Sequence, residues 1–314
     1  MISLPLREGS FLIDNSFLEV FATCPRACLY NNLYRRQLAS IRPALLFGSA
    51  GHRVWDWRYS RCLNEPPSEK VENEQRRILE WFFKKNVFPE DDWRNLNWAV
   101  EVFIKQYNRL YTLEPWNIVV SGQGKPMVEV PFIFPIYMHR RPNGDILPVF
   151  YTGKIDLLVR WEGRLVAIDH KTTSVLGDMF WDDKKVSPQF FGYAWAAWKI
   201  TGEVPSGFCV NAVRSKAAPL KPKGGMDTWW LENFERQKFW ITEDDLREWE
   251  LNTIELIKLF LHMAEEESFP QYRYSCRSKY GKCQFYDVCT TPPSQRGEML
   301  SSGNFQDNVW SPLD

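Results

Sequence analysis

The chain has 314 residues, 44% hydrophobic and 25% charged, which supplies a buried core and excludes wholesale disorder. Its 39 Lys and Arg balance 39 Asp and Glu, which excludes a binder driven by bulk positive charge but leaves room for a local basic groove. The 15 Trp, 21 Phe and 12 Tyr serve a core first; any that stay exposed could stack on unpaired bases.

The opening MISLPLREGSFLIDN has no apolar run behind a basic patch, so no secretory signal is expected, and no apolar stretch is long enough for a bilayer. The expectation is a cytoplasmic protein, or one of the host cytoplasm if viral, whose clustered thiols bind metal rather than form disulfides. Ser16 and Glu19 have capping-box spacing, and Phe17, Val20, Phe21 and Cys24 then share a helical face until Pro25 kinks or restarts it. Further helices are predicted at 47–59, 68–85 and 90–111, the last two amphipathic. β character begins near 116, with strands at 117–120 and 128–138. Strands at 149–160 and 164–169 flank Trp161-Glu162-Gly163, a compact hairpin turn. A helix at 187–200, a buried strand at 208–213, a loop at 215–225 bearing Lys216, Lys221 and Lys223, a strand at 235–241 and a helix at 242–266 complete the pattern. The Thr-, Pro-, Ser- and Gly-rich stretch after Cys289 is expected to lie on the surface or be disordered.

The hairpin carries the clearest chemistry. Asp156 interrupts the apolar run of its first strand, and Asp169 and Lys171 close the second, two residues apart and therefore on one face. Two carboxylates brought together repel unless a cation lies between them, and hard oxygen donors suit Mg²⁺ or Mn²⁺. Such an ion polarises a phosphate and activates water, and Lys171 would hold the water or stabilise developing charge. A solvated hairpin rim with an ordinary ion pair is the plainer alternative.

In order, the chain shows Gly48-Ser49-Ala50-Gly51-His52, Gly153-x-x-Asp156, Asp169-His170-Lys171 and Gln189-x-x-x-Tyr193. This set resembles the PD-(D/E)XK nuclease superfamily, in its RecB-like branch, which includes the CRISPR-associated single-strand DNA exonucleases. The resemblance runs from about residue 15 to 290. It implies an α/β, restriction-endonuclease-like fold, a mixed sheet core flanked by helices; the helical insert is read from the sequence pattern alone. The resemblance also implies that His52, Asp156, Asp169 and the carbonyl of His170 hold the metal and that Lys171 is the catalytic lysine. Gln189 and Tyr193, four apart on one helical face, would lie against the active site or the DNA backbone. Glu129, on the preceding strand, would face the site.

Cys276, Cys283 and Cys289 form C-x6-C-x5-C, with Cys24 far upstream. Four thiolates match tetrahedral zinc or an iron–sulfur cluster, and spacing does not separate the two. The resemblance implies a [4Fe–4S] cluster on Cys24, Cys276, Cys283 and Cys289, clamping the N- and C-terminal segments together. Cys28 competes with Cys24, but the Cys-Pro-Arg pattern favours Cys24; Cys62 and Cys209 read as buried small hydrophobes.

The expected organisation is an N-terminal helical segment at 1–59, a helical insert at 60–115, the nuclease core and its helix at 116–270, a cysteine segment at 271–290 and a flexible tail at 291–314. The implied activity is that of a metal-dependent DNA exonuclease preferring single strands. Rival readings are an endonuclease, a nuclease subunit of a recombination, repair or viral genome-processing complex (with the Trp-rich helices as partner surface), a non-catalytic DNA-binding module and a zinc-stabilised structural protein. A homo-oligomer or a recombination or replication partner is compatible with the pattern. No G-x4-G-K-S/T loop occurs, so no ATP site is expected.

Overall fold

The computed structural model describes residues 4–39, 43–62, 66–217, 223–278 and 281–308, with the side chains of Cys62 and Ser278 excepted. The chain divides into two compact units, one from 1–40, 131–153 and 247–314, the other from 41–130 and 154–246.

The second unit holds every predicted site residue outside the cysteines. Its mixed sheet begins with Trp116–Ile118, antiparallel to the latter half of Ile146–Trp161, with Trp116 opposite Trp161. Arg164–Thr173 folds back antiparallel, with Leu157 opposite Ile168. Glu162 and Gly163 turn this hairpin at φ 52° and 79°, the two left-handed residues that match strand twist. Gly207–Arg214 then runs parallel to Arg164–Thr173, after a crossover through the helix Pro188–Thr201. Phe234–Trp240 closes the order antiparallel. The central strands are apolar on both faces because helices cover them.

The helices Pro43–Cys62 and Glu69–Lys85 and a third helical run over 96–110 bury one face each. Phe47, Val54, Trp55, Leu79, Phe82, Val102, Phe103 and Tyr107 share a core with Leu157, Val159, Val166 and Ile168 of the sheet. The helices of 60–115 are thus part of the site-bearing core. The third run starts six residues later than its periodicity predicts. Pro89 and Asp92 make a turn there, and Asn95 caps the helix by accepting from the Trp98 N–H at 3.0 Å. Its middle, Val100–Gln106, adopts wider π-type turns. Two short helices, Asp178–Lys185 and Gly225–Leu231, were not expected. Residues 218–222 of the Lys-bearing loop, including Lys221, lie outside the described residues.

In the first unit, Leu6–Arg7 and Ser10–Ile13 form an unpredicted hairpin turned by Glu8 and Gly9 at φ 51° and 79°. Ser10–Ile13 also pairs parallel with Val149, Phe150 and Tyr151. The helix Asn15–Thr23 is capped by Asp14, which accepts from the Phe17 N–H at 2.7 Å, and not by the predicted Ser16. Its Phe17 and Phe21 pack edge-on against Phe260 of the helix Glu243–Glu265, while Phe11 stacks on Phe260 at 5.4 Å. Pro25 opens the next helix, Pro25–Cys28, as its fixed φ favours. The stretch after Cys289, expected on the surface or disordered, carries short ordered elements up to residue 308. Phe305–Asp307 pairs antiparallel with Arg36–Leu38, and Arg36 donates to Asp307 at 2.6 Å. No helix among the described residues is long and apolar enough to cross a membrane.

Candidate metal centre and active site

The strand register brings Asp156 to the start of the Lys171 segment. One Asp156 carboxylate oxygen accepts from the His170 main-chain N–H at 2.8 Å and lies 3.4 Å from His52 Nδ1. His52 comes from the helix Pro43–Cys62, which comes close to the strand where Gly48 lacks a side chain and close to the helical run over 96–110 where Gly51 does. A Cβ on Gly48 would sit 2.7 Å from Thr172 Oγ1, and one on Gly51 3.1 Å from Phe103. Glu129 completes the group: His52, Glu129 and Asp156 each offer a ligand atom within 4.8 Å of the others. Glu129 has φ 49° within the strand Val128–Arg140, a left-handed conformation uncommon for a non-glycine residue.

Asp169 sits beside this group. The Lys171 ammonium donates to its Oδ1 at 3.0 Å and lies 2.9 Å from Oδ2. The Phe190 ring, one residue past Gln189, packs 5.6 Å from Lys171 Nζ and brings the helix Pro188–Thr201 to the lysine. Gln189 donates to the Tyr193 hydroxyl at 2.8 Å on that helix. Lys154, paired with Glu129 at 2.7 Å, is a member that sequence reasoning passed over. Its place two residues before Asp156, on the same strand face, was the available signal.

Burial sets the electrostatics. It pushes the Asp156 carboxyl up to about 7, against the opposing pull of Lys171, and Asp169 up to about 6. The His52 imidazole is lowered by burial and then by Lys171, which leaves a neutral ring with a free lone pair. One imidazole nitrogen with carboxylate oxygens is a hard donor set, and its partly protonated acids are what a divalent ion would displace protons from. The residues present therefore fit a divalent cation.

Behind the site lies a buried polar network that the motifs did not reveal. The His170 ring stacks on Tyr59 at 5.5 Å, and its Nδ1 meets Asn211 Nδ2 at 2.7 Å. Asn211 Oδ1 accepts from Arg236 Nε at 2.9 Å; arginine can only donate, so Asn211 Nδ2 is the amide donor and His170 Nδ1 the acceptor. Burial holds the His170 imidazole neutral, well below its usual range. Arg236 in turn pairs with the Glu114 carboxylate at 2.5 Å, which also accepts from the Tyr59 hydroxyl at 2.6 Å. The predicted role of His170 was its carbonyl; its side chain anchors the strand.

The expected iron–sulfur clamp is corrected by the structure. Among the described residues, His52, Glu129 and Asp156 form the group that could hold an ion, and Cys24, Cys276, Cys283 and Cys289 form none. These four lie near enough to influence one another. The Cys24 sulfur accepts from the Tyr272 N–H at 3.5 Å, and Cys276 Sγ lies 3.8 Å from the Tyr272 carbonyl. Burial raises the Cys283 thiol and pushes Cys289 up to about 11, with Cys24 adding to both shifts. Cys209 is fully buried, as a small hydrophobe.

Fold and site together define a mixed α/β protein with a candidate divalent-metal centre. A family model for the PD-(D/E)XK nuclease superfamily matches residues 15–290, and the chain belongs to that superfamily. No curated protein matches the chain. Among solved structures, a protein from Eubacterium rectale provisionally designated an exonuclease is 16% identical, with 93% of each chain covered and a TM-score of 0.47. The protein SSO0001 is 13% identical, with 92% of this chain and 89% of that one covered and a TM-score of 0.35.

Proposed function

We propose that the protein is a divalent-metal-dependent deoxyribonuclease of the RecB-like kind that degrades single-stranded DNA from its ends. The observation that carries the reading is the convergence of His52, Glu129 and Asp156 beside the Asp169–Lys171 pair. His52, Glu129 and Asp156 would hold the ion, with Asp169 and the His170 carbonyl as neighbouring donors. A bound divalent ion would supply Lewis-acid polarisation of the scissile phosphate.

The chain's own groups account for the remainder. The His170 N–H fixes the Asp156 carboxylate, so the acid is oriented before substrate arrives. Lys171 supplies a positive charge that stabilises the phosphate oxygens as negative charge develops, or orients the attacking water. The water oxygen bonds to phosphorus, and the bond to the leaving 3′ oxygen breaks, leaving a 5′ phosphate. Gln189 and Tyr193, joined to each other on the helix whose Phe190 packs against Lys171, would contact the DNA backbone.

The test is an end-labelled DNA digestion with Mn²⁺, comparing the intact protein with Lys171→Ala on linear single-stranded, linear duplex and circular single-stranded substrates. Linear single strands should be degraded by the intact protein and not by the variant. Cleavage of circles would replace end-dependent action with endonuclease action; no Mn²⁺-dependent cleavage of any substrate would overturn the nuclease reading.

A further inference from the structure

The helix Glu69–Lys85 turns Gln75, Leu79 and Phe82 into the core and leaves its opposite face to solvent. Four-residue spacing puts Arg77, Trp81 and Lys85 in one line on that face, with Lys84 beside them. Trp81 is 53% exposed, whereas most tryptophans of this unit are buried or half-buried. Arg53 of the helix Pro43–Cys62 holds its guanidinium 5.7 Å from the centre of the Trp81 ring. Arg53 directly follows His52, so this surface begins one residue from the candidate cation ligand.

Arg77 is balanced by Glu74 at 2.5 Å. Arg53, Lys84 and Lys85 have no acidic partner among the described residues. In a chain whose formal charges cancel, that is a local cationic surplus around one exposed indole. Lys84 and Lys85 also suit the negative end of the helix dipole, but the dipole gives no role to an exposed tryptophan.

We propose that Trp81, Arg53, Lys84 and Lys85 form a clamp for an unpaired nucleic-acid strand leading to the active site. A base stacks on the indole while the three cations take flanking phosphates. An aromatic platform among unpaired cations matches a single strand, in which bases are free to stack and phosphates alternate with them. A duplex keeps its bases inside. The clamp rests on the nuclease reading and adds where the strand lies beyond the reacting phosphate.

The test uses the full chain as wild type, Trp81→Ala, Trp81→Phe and Arg53→Ala. Substrates are a long oligothymidylate, a duplex of equal length and thymidine 5′-(p-nitrophenyl) phosphate, which is too small to reach the clamp. With Mn²⁺, Trp81→Ala should raise KM on the oligothymidylate on the order of tenfold relative to the small diester, while Trp81→Phe stays within about twofold of wild type. Arg53→Ala should reduce the salt slope of strand binding by about one. An unchanged oligothymidylate KM in Trp81→Ala, or an equal loss on duplex, would overturn the clamp. Fluorescence-anisotropy titration of labelled oligothymidylate, with each clamp change placed in the Lys171→Ala background, reads strand binding without turnover. If wild type cleaves nothing, the nuclease reading falls, and this titration still decides the clamp: equal affinity with and without Trp81 rejects it.

Discussion

At the residue scale, the site stores protons that a cation must displace. Asp156 and Asp169 are raised from 3.8 to about 7 and about 6. In metal-free protein, the folded state keeps these protons between about pH 4 and 7 while the unfolded state releases them, so their contribution to stability falls as pH rises through that window. Thermal melts in chelator should therefore show Asp156→Asn gaining stability relative to wild type as pH rises from about 4 to about 7. Cation affinity should run the opposite way, strengthening with pH up to about 7 as proton competition fades, measurable by calorimetric Mn²⁺ titration. Asn211 offers a second test. Its amide anchors His170, whose N–H fixes Asp156. Asn211→Ala should weaken Mn²⁺ binding roughly 10–100-fold while the protein remains folded, as loss of an outer hydrogen-bond partner does elsewhere. Asp156, Asp169 and Lys171 were legible as a group because they lie within one hairpin; His52, far upstream, entered only through the resemblance. Asn211, Arg236 and Glu114 were not legible, because ordinary polar residues acquire their role only when distant strands meet.

At the element scale, the helix-to-strand approach that delivers His52 depends on a missing side chain. Gly48→Ala would set a Cβ at 2.7 Å from Thr172 Oγ1. Either the Thr172 side chain turns away or the helix shifts, and cleavage should fall on the order of tenfold or more where the helix yields by about 1 Å. Circular dichroism should show retained helix content. Phe103→Ala, in the π-type run behind that helix, should cost about 3–5 kcal/mol in denaturant unfolding. Long periodic helices and the Glu162-Gly163 hairpin were readable from sequence because their signals are internal. The strands Leu6–Arg7 and Phe305–Asp307 were not, since so few residues carry no period and each is defined by its partner. The late start of the third helical run shows a local cap overriding an apolar pattern that extends past it.

At the scale of the whole molecule, the site-bearing unit is assembled from two stretches, 41–130 and 154–246, with chain of the other unit running between them. His52 and Glu129 come from the first stretch, and Asp156, Asp169 and Lys171 from the second. A cation bound by both should tie them together. At 100 times its dissociation constant an ion adds about 2.7 kcal/mol, which for a unit this size raises the melting temperature by roughly 5–10 °C. Scanning calorimetry with and without Mn²⁺ should show that rise in wild type and not in Asp156→Asn. The four cysteines mark where family pattern outran physics. Their order along the chain read as a ligand set, yet among the described residues they form no group that could hold an ion.

The anchoring of His170 by Asn211, 41 residues downstream, also orders events on the ribosome. Asp156, Asp169 and Lys171 are synthesised before the strand that braces them, and Arg236 follows later still. A nascent chain therefore carries all its acids and its lysine while lacking the scaffold that aligns them. Its candidate site is braced only once translation has passed the final strand of the sheet.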